Sequence, residues 1–308
     1  MLRKLPTGGK IGILAPAFPP DAAKLHNGVE YLQNLRYEVK LTDSPTSIDG
    51  YFAGSDEMRL NDLHNLFADP EIDMIICARG GWGTLRMLDK IDYELIKNNP
   101  KAFVGYSDIT TLHLAFWQKC GIPSLSGPMA AVEMGTGILP FTEKHFWDQV
   151  FNTGPFYNYY FKDDDSEIWQ QGRAEGTLLG GCLSMVSHQL GTPYTPDYAD
   201  SILFLEDVGE EPFKIDCYLA HLKQAGILDK IKGLILGVFL DCLDDNESRA
   251  HITVKDVLHE YFADSPYPVI YNFPYGHTMK KVTMPVGARV SIDTKQKLLK
   301  MGNVFGSK

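Results

Sequence analysis

The stretch Phe103-Val104-Gly105-Tyr106-Ser107-Asp108-Ile109-Thr110 runs from a short apolar strand through a glycine to a serine and then into a helix start. A serine at a sharp strand-to-helix turn has its hydroxyl pushed clear of the backbone. The N–H groups of the helix's first turn can then meet a developing oxyanion. Ser and Asp are also ordinary helix N-caps, so the turn reads either as a nucleophile's seat or as a cap. The first reading needs an imidazole base and an acid to orient it, and these meet in space rather than in sequence. Of nine histidines, His277 stands apart: it follows the apolar run 269–271 in the loop Phe273-Pro274-Tyr275-Gly276-His277-Thr278, where proline and glycine define a turn. His113, His188, His221 and His259 fall inside helical patterns and read as structural or surface residues. For the acid, Glu206 and Asp207 end the apolar run 202–205, the same kind of position as Ser107. Glu206, Glu210 and Glu211 equally suit the acidic first turn of the helix that follows.

The loop Arg79-Gly80-Gly81-Trp82-Gly83-Thr84 follows another apolar run. It contains no GxxxxGK[ST], and Arg86 stands where a dinucleotide fingerprint places its third glycine. It suits better one N–H of an oxyanion hole beside Ser107, because glycine lets backbone approach a substrate closely. An α/β-hydrolase is poorly matched, since the elbow G-x-S-x-G has Ile109 where its second glycine belongs.

The elements that must position these residues alternate in type. Up to about residue 150, strands at 10–15, 37–41, 72–78 and 103–104 alternate with helical patterns carrying Leu25, Val29 and Leu32, then Leu60, Leu63, Leu66 and Phe67, then Leu112, Ala115 and Phe116. A helix through Leu88 is expected after the glycine loop, and a further strand at 123–125. This β-α-β-α order implies an α/β fold built on a doubly wound parallel sheet, whose active site lies beyond the carboxyl ends of the strands. Residues 153–173, with the acidic run Asp163-Asp164-Asp165, read as a solvated linker. A second α/β region then holds helices near 183–190, 212–225 and 254–262. Its strands are expected at 202–205, 233–238 and 269–271, ending in short ones at 282–286, 289–292 and 297–299. The expected organisation is an N-terminal domain 1–152, a linker 153–173 and a C-terminal domain 174–308.

Hydrophobic residues make up 44% of the 308 and charged residues 22%, as in ordinary soluble globular proteins. The net charge of −10, without a Lys/Arg cluster, lacks the footprint of a nucleic-acid or anionic-membrane binder. A small molecule or peptide is the expected partner. Five widely spaced cysteines, Cys77, Cys120, Cys182, Cys217 and Cys242, form no C-x-x-C pair and read as reduced, mostly buried thiols. No apolar run approaches the ~20 residues of a membrane helix, and the N-terminus has no signal-peptide pattern. The expected location is the cytoplasm.

Four blocks together resemble the LD-carboxypeptidase family of serine peptidases, which includes murein tetrapeptide carboxypeptidases and microcin C7 self-immunity proteins. They are Ala78-Arg79-Gly80-Gly81-Trp82-Gly83, Gly105-Tyr106-Ser107-Asp108-Ile109-Thr110, Leu203-Phe204-Leu205-Glu206-Asp207 and Gly276-His277. Lesser blocks at 51–59, 99–101, 127–129, 191–192 and 215–216 agree in order and spacing. The resemblance implies a triad of Ser107, Glu206 and His277, with the oxyanion held by backbone N–H groups at Gly81 and Asp108. It also implies a flavodoxin-like N-terminal domain, a smaller β-rich C-terminal domain, no metal or other cofactor, and a homodimer. The implied activity removes the terminal D-alanine of a murein tetrapeptide. Arg79 is then a candidate for the substrate's carboxylate, its alternative being a structural ion pair. An immunity-type peptidase acting on an aminoacyl-nucleotide amide would need an aromatic platform, for which Trp82, Trp117 and Trp169 are candidates. A silent, flavodoxin-like ligand-binding protein is the remaining alternative. The chain departs from the family pattern at Ala17, Ser126, Cys182 and Cys217. Substrate preference is expected to lie in loops such as 153–173 and 241–250.

Overall fold

The computed structural model describes residues 2–162, 164–243 and 252–306. Asp163 of the acidic run and residues 244–251 lie outside them. The first sheet is built from β1 (Lys10–Leu14), β2 (Glu38–Leu41), β3 (Ile72–Cys77), β4 (Ala102–Gly105) and β5 (Ser124–Ser126), parallel and in the order β5-β4-β3-β1-β2. This is the flavodoxin-like order. β3 and β4 are buried at every position, which is why they read as unbroken apolar runs rather than alternating ones.

The helices that cover this sheet start where their caps dictate. Asp21 accepts from the Lys24 N–H at 2.9 Å to open α1 (Ala22–Asn34), which buries Leu25 and Leu32. Ser55 accepts from the Met58 N–H at 3.2 Å to open α2 (Asp56–Ala68), which turns Leu63, Leu66 and Phe67 inward. α3 (Tyr93–Asn98), α4 (Thr110–Cys120) and α5 (Pro140–Val150) follow. The helix expected through Leu88 is instead two single 3₁₀ turns, Thr84–Arg86 and Leu88–Lys90. Thr84 commits its N–H and hydroxyl to Asp108, which draws the chain away from a continuous helix.

The second sheet takes in strands that the sequence hid. Residues 153–173, expected as linker, hold β6 (Phe156–Tyr160) and β7 (Glu167–Gln170), and these form its two edges. Both pair on one side only, and of their residues only Tyr159 is buried, so their composition is that of a solvated segment. Between them lie β8 (Arg173–Cys182), β9 (Ser201–Val208), β10 (Gly233–Leu240) and β11 (Val269–Tyr271), with α6 (Leu183–Gln189), α7 (Pro212–Gln224) and α8 (Val254–Phe262) as connections. Three more strands follow: β12 (Met284–Val286), β13 (Arg289–Asp293) and β14 (Leu298–Gly302). The order is β6-β14-β13-β8-β9-β10-β11-β7, with β8 to β11 parallel. β12 is expected in the second region with its neighbours but joins the first sheet, antiparallel to β5. There it covers a backbone edge that would otherwise be bare.

Candidate active site

β4 ends at Gly105, and two residues later Ser107 sits in the left-handed region with φ 67°, an uncommon conformation for a residue with a side chain. The backbone on either side of it is held firmly. The Gly105 carbonyl accepts from the His113 ring Nε2 at 2.8 Å and from the Gly127 N–H at 3.2 Å. Burial pushes His113 down to about 4, so near neutral pH the ring is an uncharged donor in a structural place, as its helical position suggested. Beyond Ser107, the Asp108 carboxyl is buried and takes the Thr84 N–H and hydroxyl at 3.0 and 2.8 Å. Burial raises Asp108 to about 6 despite these donors. Asp108 therefore ties the start of α4 to the glycine loop 80–83. Gly80 comes so close that a Cβ there would lie 2.8 Å from the Ser107 Cβ.

The other two expected residues arrive from the second sheet. Glu206, near the end of β9, is fully buried, and its Oε2 accepts from the His277 ring Nδ1 at 2.7 Å and from the His277 N–H at 3.2 Å. The His277 Nε2 stands 2.9 Å from the Ser107 hydroxyl. Serine, imidazole and carboxylate therefore form one hydrogen-bonded line. His277 reaches this position because Gly276 has φ 121° and packs against the acid: a Cβ there would sit 2.7 Å from Glu206 Oε2. Asp207, the adjacent carboxylate, serves a different structure. It accepts from the Ser184 N–H at 2.7 Å and the Val208 N–H at 2.9 Å, and so anchors the first turn of α6. Burial and the charge of Glu206 raise it to about 6. Glu210 and Glu211 flank the start of α7, where Glu210 pairs with Lys214 at 3.3 Å. Helix-start acidity thus accounts for those two but not for Glu206.

Ser107 and His277 open onto a cavity of about 420 Å³ lined also by Gly80, Gly81, Arg79 and Tyr106. Arg79 places its guanidinium 5.8 Å from the Phe18 ring centroid and makes no ion pair among the described residues. Lys24 and Asp21, from the start of α1, add charge to the same wall, which sequence reasoning did not single out. None of the three candidate tryptophans lines this cavity. Trp82 meets His188 edge-on at 6.2 Å, Trp117 lies under Gly287, and Trp169 stacks on Tyr271 at 4.4 Å.

The departures from the family pattern have local partners. Ser126 shares a 2.6 Å hydrogen bond with the Tyr275 hydroxyl, and Cys182 donates its thiol to Asp207 at 3.4 Å. Ala17 is buried and Cys217 is exposed. All five cysteines are unpaired. Among the described residues there is no cluster of three or more His, Cys, Asp or Glu that could hold a metal ion, and no helix is long and apolar enough to cross a membrane.

Sequence comparison places this geometry among known proteins. A family model described as the LD-carboxypeptidase N-terminal domain matches residues 11–127, and one described as the LD-carboxypeptidase C-terminal domain matches residues 175–292. The probable murein peptide carboxypeptidase of Bacillus subtilis (strain 168) is 36% identical over 297 residues, covering 96% of this chain and 92% of the relative. The crystal structure of muramoyltetrapeptide carboxypeptidase from Oxalobacter formigenes superposes with a TM-score of 0.85 at 32% identity, covering 96% of this chain and all of that one. The microcin C7 self-immunity protein MccF of Escherichia coli is 25% identical over 329 residues, covering 95% and 93% of the two chains. Matched at both ends, and by full-length relatives, this chain belongs to the LD-carboxypeptidase family.

Proposed function

We propose that this protein is a serine LD-carboxypeptidase that removes the terminal D-alanine from murein tetrapeptides in cell-wall recycling. The observation that carries the reading is the line from a fully buried Glu206 through His277 to Ser107, the serine being held in a strained turn at the mouth of a cavity. The carboxypeptidase names of relatives at 32–36% identity support the substrate class.

Ser107 Oγ attacks the carbonyl carbon of the scissile amide while His277 Nε2 takes the hydroxyl proton. Glu206 fixes the imidazole with its proton on Nδ1 and stabilises the charged ring. Backbone N–H groups of Gly81 and Asp108 receive the oxyanion. The C–N bond then breaks as His277 returns the proton to the leaving amine. Water, deprotonated by the same imidazole, then attacks the ester carbon; the bond to Ser107 Oγ breaks, the proton returns to that oxygen and the shortened peptide leaves. Arg79, free of ion pairs among the described residues and facing the cavity, is assigned to the terminal carboxylate. The nucleophile comes from domain 1–152 and the acid and base from 174–308. Five unpaired thiols suit a reducing cytoplasm, and the assembly is assigned as a homodimer.

The test is mass spectrometry of free and UDP-linked murein tetrapeptides, in lysine and diaminopimelate forms, incubated with wild type and Ser107→Ala. Wild type is expected to release one D-alanine, and Ser107→Ala should be slower by several orders of magnitude. Equal cleavage by both proteins rules out Ser107 as nucleophile. An aminoacyl sulfamoyl adenylate forms the second arm. Cleavage there alone would reassign the substrate to the immunity type, against which stands the absence of the three candidate tryptophans from the cavity lining. Silence in both arms, with no fluorophosphonate labelling of Ser107, would identify a ligand-binding protein.

A further inference from the structure

Lys281, four residues beyond His277, is fully buried. An ammonium in that position is costly unless it is paired. Its partner is Glu133, 148 residues away in sequence and also buried, on the wide helical turn Ala130–Met134. Glu133 uses both oxygens. Oε1 accepts from Lys281 and from the Tyr106 hydroxyl at 2.9 Å, while Oε2 accepts from the Met129 N–H at 3.0 Å. Lys281 Nζ also lies 3.5 Å from the centroid of the Tyr106 ring. The same ring meets the His277 imidazole edge-on at 5.1 Å. Tyr106 is the residue before Ser107, so one buried network touches the nucleophile's turn, the base and the cavity wall at Met129.

Well-packed apolar residues would stabilise such a site equally or better. Stability alone therefore gives no reason for three ionisable side chains beneath the imidazole. The His277 loop has other anchors to the first sheet's side. The Thr142 hydroxyl donates to the Met279 carbonyl and accepts from the Lys281 N–H, and Tyr275 is bonded to Ser126. What these backbone and distant contacts do not fix is the side-chain surface against which the imidazole rests.

We propose that Lys281 and Glu133 are a positioning pair that, through the Tyr106 ring, holds the His277 imidazole within reach of Ser107. The inference rests on reading Ser107 and His277 as nucleophile and base. Neither member of the pair lines the cavity at Ser107 and His277, so their removal lowers kcat and leaves KM in place.

The experiment compares wild type with Lys281→Met, Glu133→Gln and the double variant, by steady-state cleavage of the tetrapeptide, by the rate of fluorophosphonate labelling at Ser107 and by Tm. Each single variant strands a polar group and is expected to lower both Tm and kcat. The double variant removes both charges and is expected to regain Tm while kcat stays ~10- to 100-fold down, KM stays within about threefold and labelling is slowed in step. A double variant that recovers wild-type kcat along with Tm overturns the proposal and leaves the pair structural. If neither charge variant folds, Tyr106→Leu decides, since it removes the ring through which the pair meets the imidazole. A severalfold drop in kcat at constant KM supports the pair, and unchanged kcat overturns it. A wild type that labels at Ser107 but cleaves no tetrapeptide defeats the substrate reading alone, and the labelling rates still judge the pair.

Discussion

Two carboxylates one residue apart on β9 have opposite fates, because neighbours on a strand face opposite ways. Glu206 turns toward His277 and Asp207 toward the start of α6. Glu206→Gln is expected to cut kcat ~10²- to 10⁴-fold, whereas Asp207→Asn, which can still accept a backbone N–H, should stay within severalfold of wild type. Steady-state rates on the two variants check this, and the reverse ranking would make Asp207 the orienting acid. Asp207 also has a stability signature. Its carboxyl titrates near 6 when folded against an ordinary 3.8, so the folded chain keeps a proton that the unfolded chain gives up in between. The stabilisation is fully present below the ordinary value and is lost as pH rises through about 6. Wild type should therefore lose on the order of 1–3 kcal/mol relative to Asp207→Asn across that window, read by denaturant unfolding at a series of pH values. At this scale Ser107 and His277 were legible because each follows an apolar run and a turn residue. The choice between Glu206 and Asp207 was open on residue types alone, since it depends on which face of β9 looks at which neighbour. Lys281 and Glu133 left no local trace, since what gives each its place is a partner 148 residues away.

At the scale of elements, strand ends place the chemistry and turn geometry aims it. Gly276 is the clearest case, with a positive φ and no room for a Cβ beside Glu206 Oε2. Gly276→Ala is expected to lower kcat by about two orders of magnitude or more by displacing the Glu206–His277 contact. The measurement is turnover together with the far-UV signal of the folded chain, and wild-type turnover would mean that the loop relaxes at no cost. The parallel strands of the first sheet were legible from apolar runs, and α1 and α2 from the helical spacing of Leu25, Val29 and Leu32 and of Leu60, Leu63, Leu66 and Phe67. β6 and β7 were not, because edge strands with one partner carry the polar, aromatic composition of a surface segment. The 3₁₀ turns after Gly83 were missed for another reason: the side chain that shapes them, Asp108, lies a strand away.

At the scale of the whole molecule, the site exists only where the two sheets meet, the first supplying Ser107 and the second supplying Glu206 and His277. The doubly wound half could be foreseen from β-α alternation, but the return of β12 to it could not, since Met284-Pro285-Val286 is too short to declare its partner. That return bears on the order of events during synthesis. Domains generally fold as units as they emerge, the N-terminal one first. Here the nascent first sheet must wait, with β5 uncovered, for a segment that emerges more than 150 residues later. A truncated chain of residues 1–152 is accordingly expected to self-associate through β5, and a synthetic peptide spanning residues 280–290 should return it toward the monomer. Sedimentation with and without the peptide checks this, and a stable monomer from the truncated chain alone would show that β5 needs no cover. If β5 does need its cover, the first sheet stays open until the chain has passed His277: the strand that seals it follows that residue by only seven residues, so closure of the sheet and arrival of the imidazole are nearly one event.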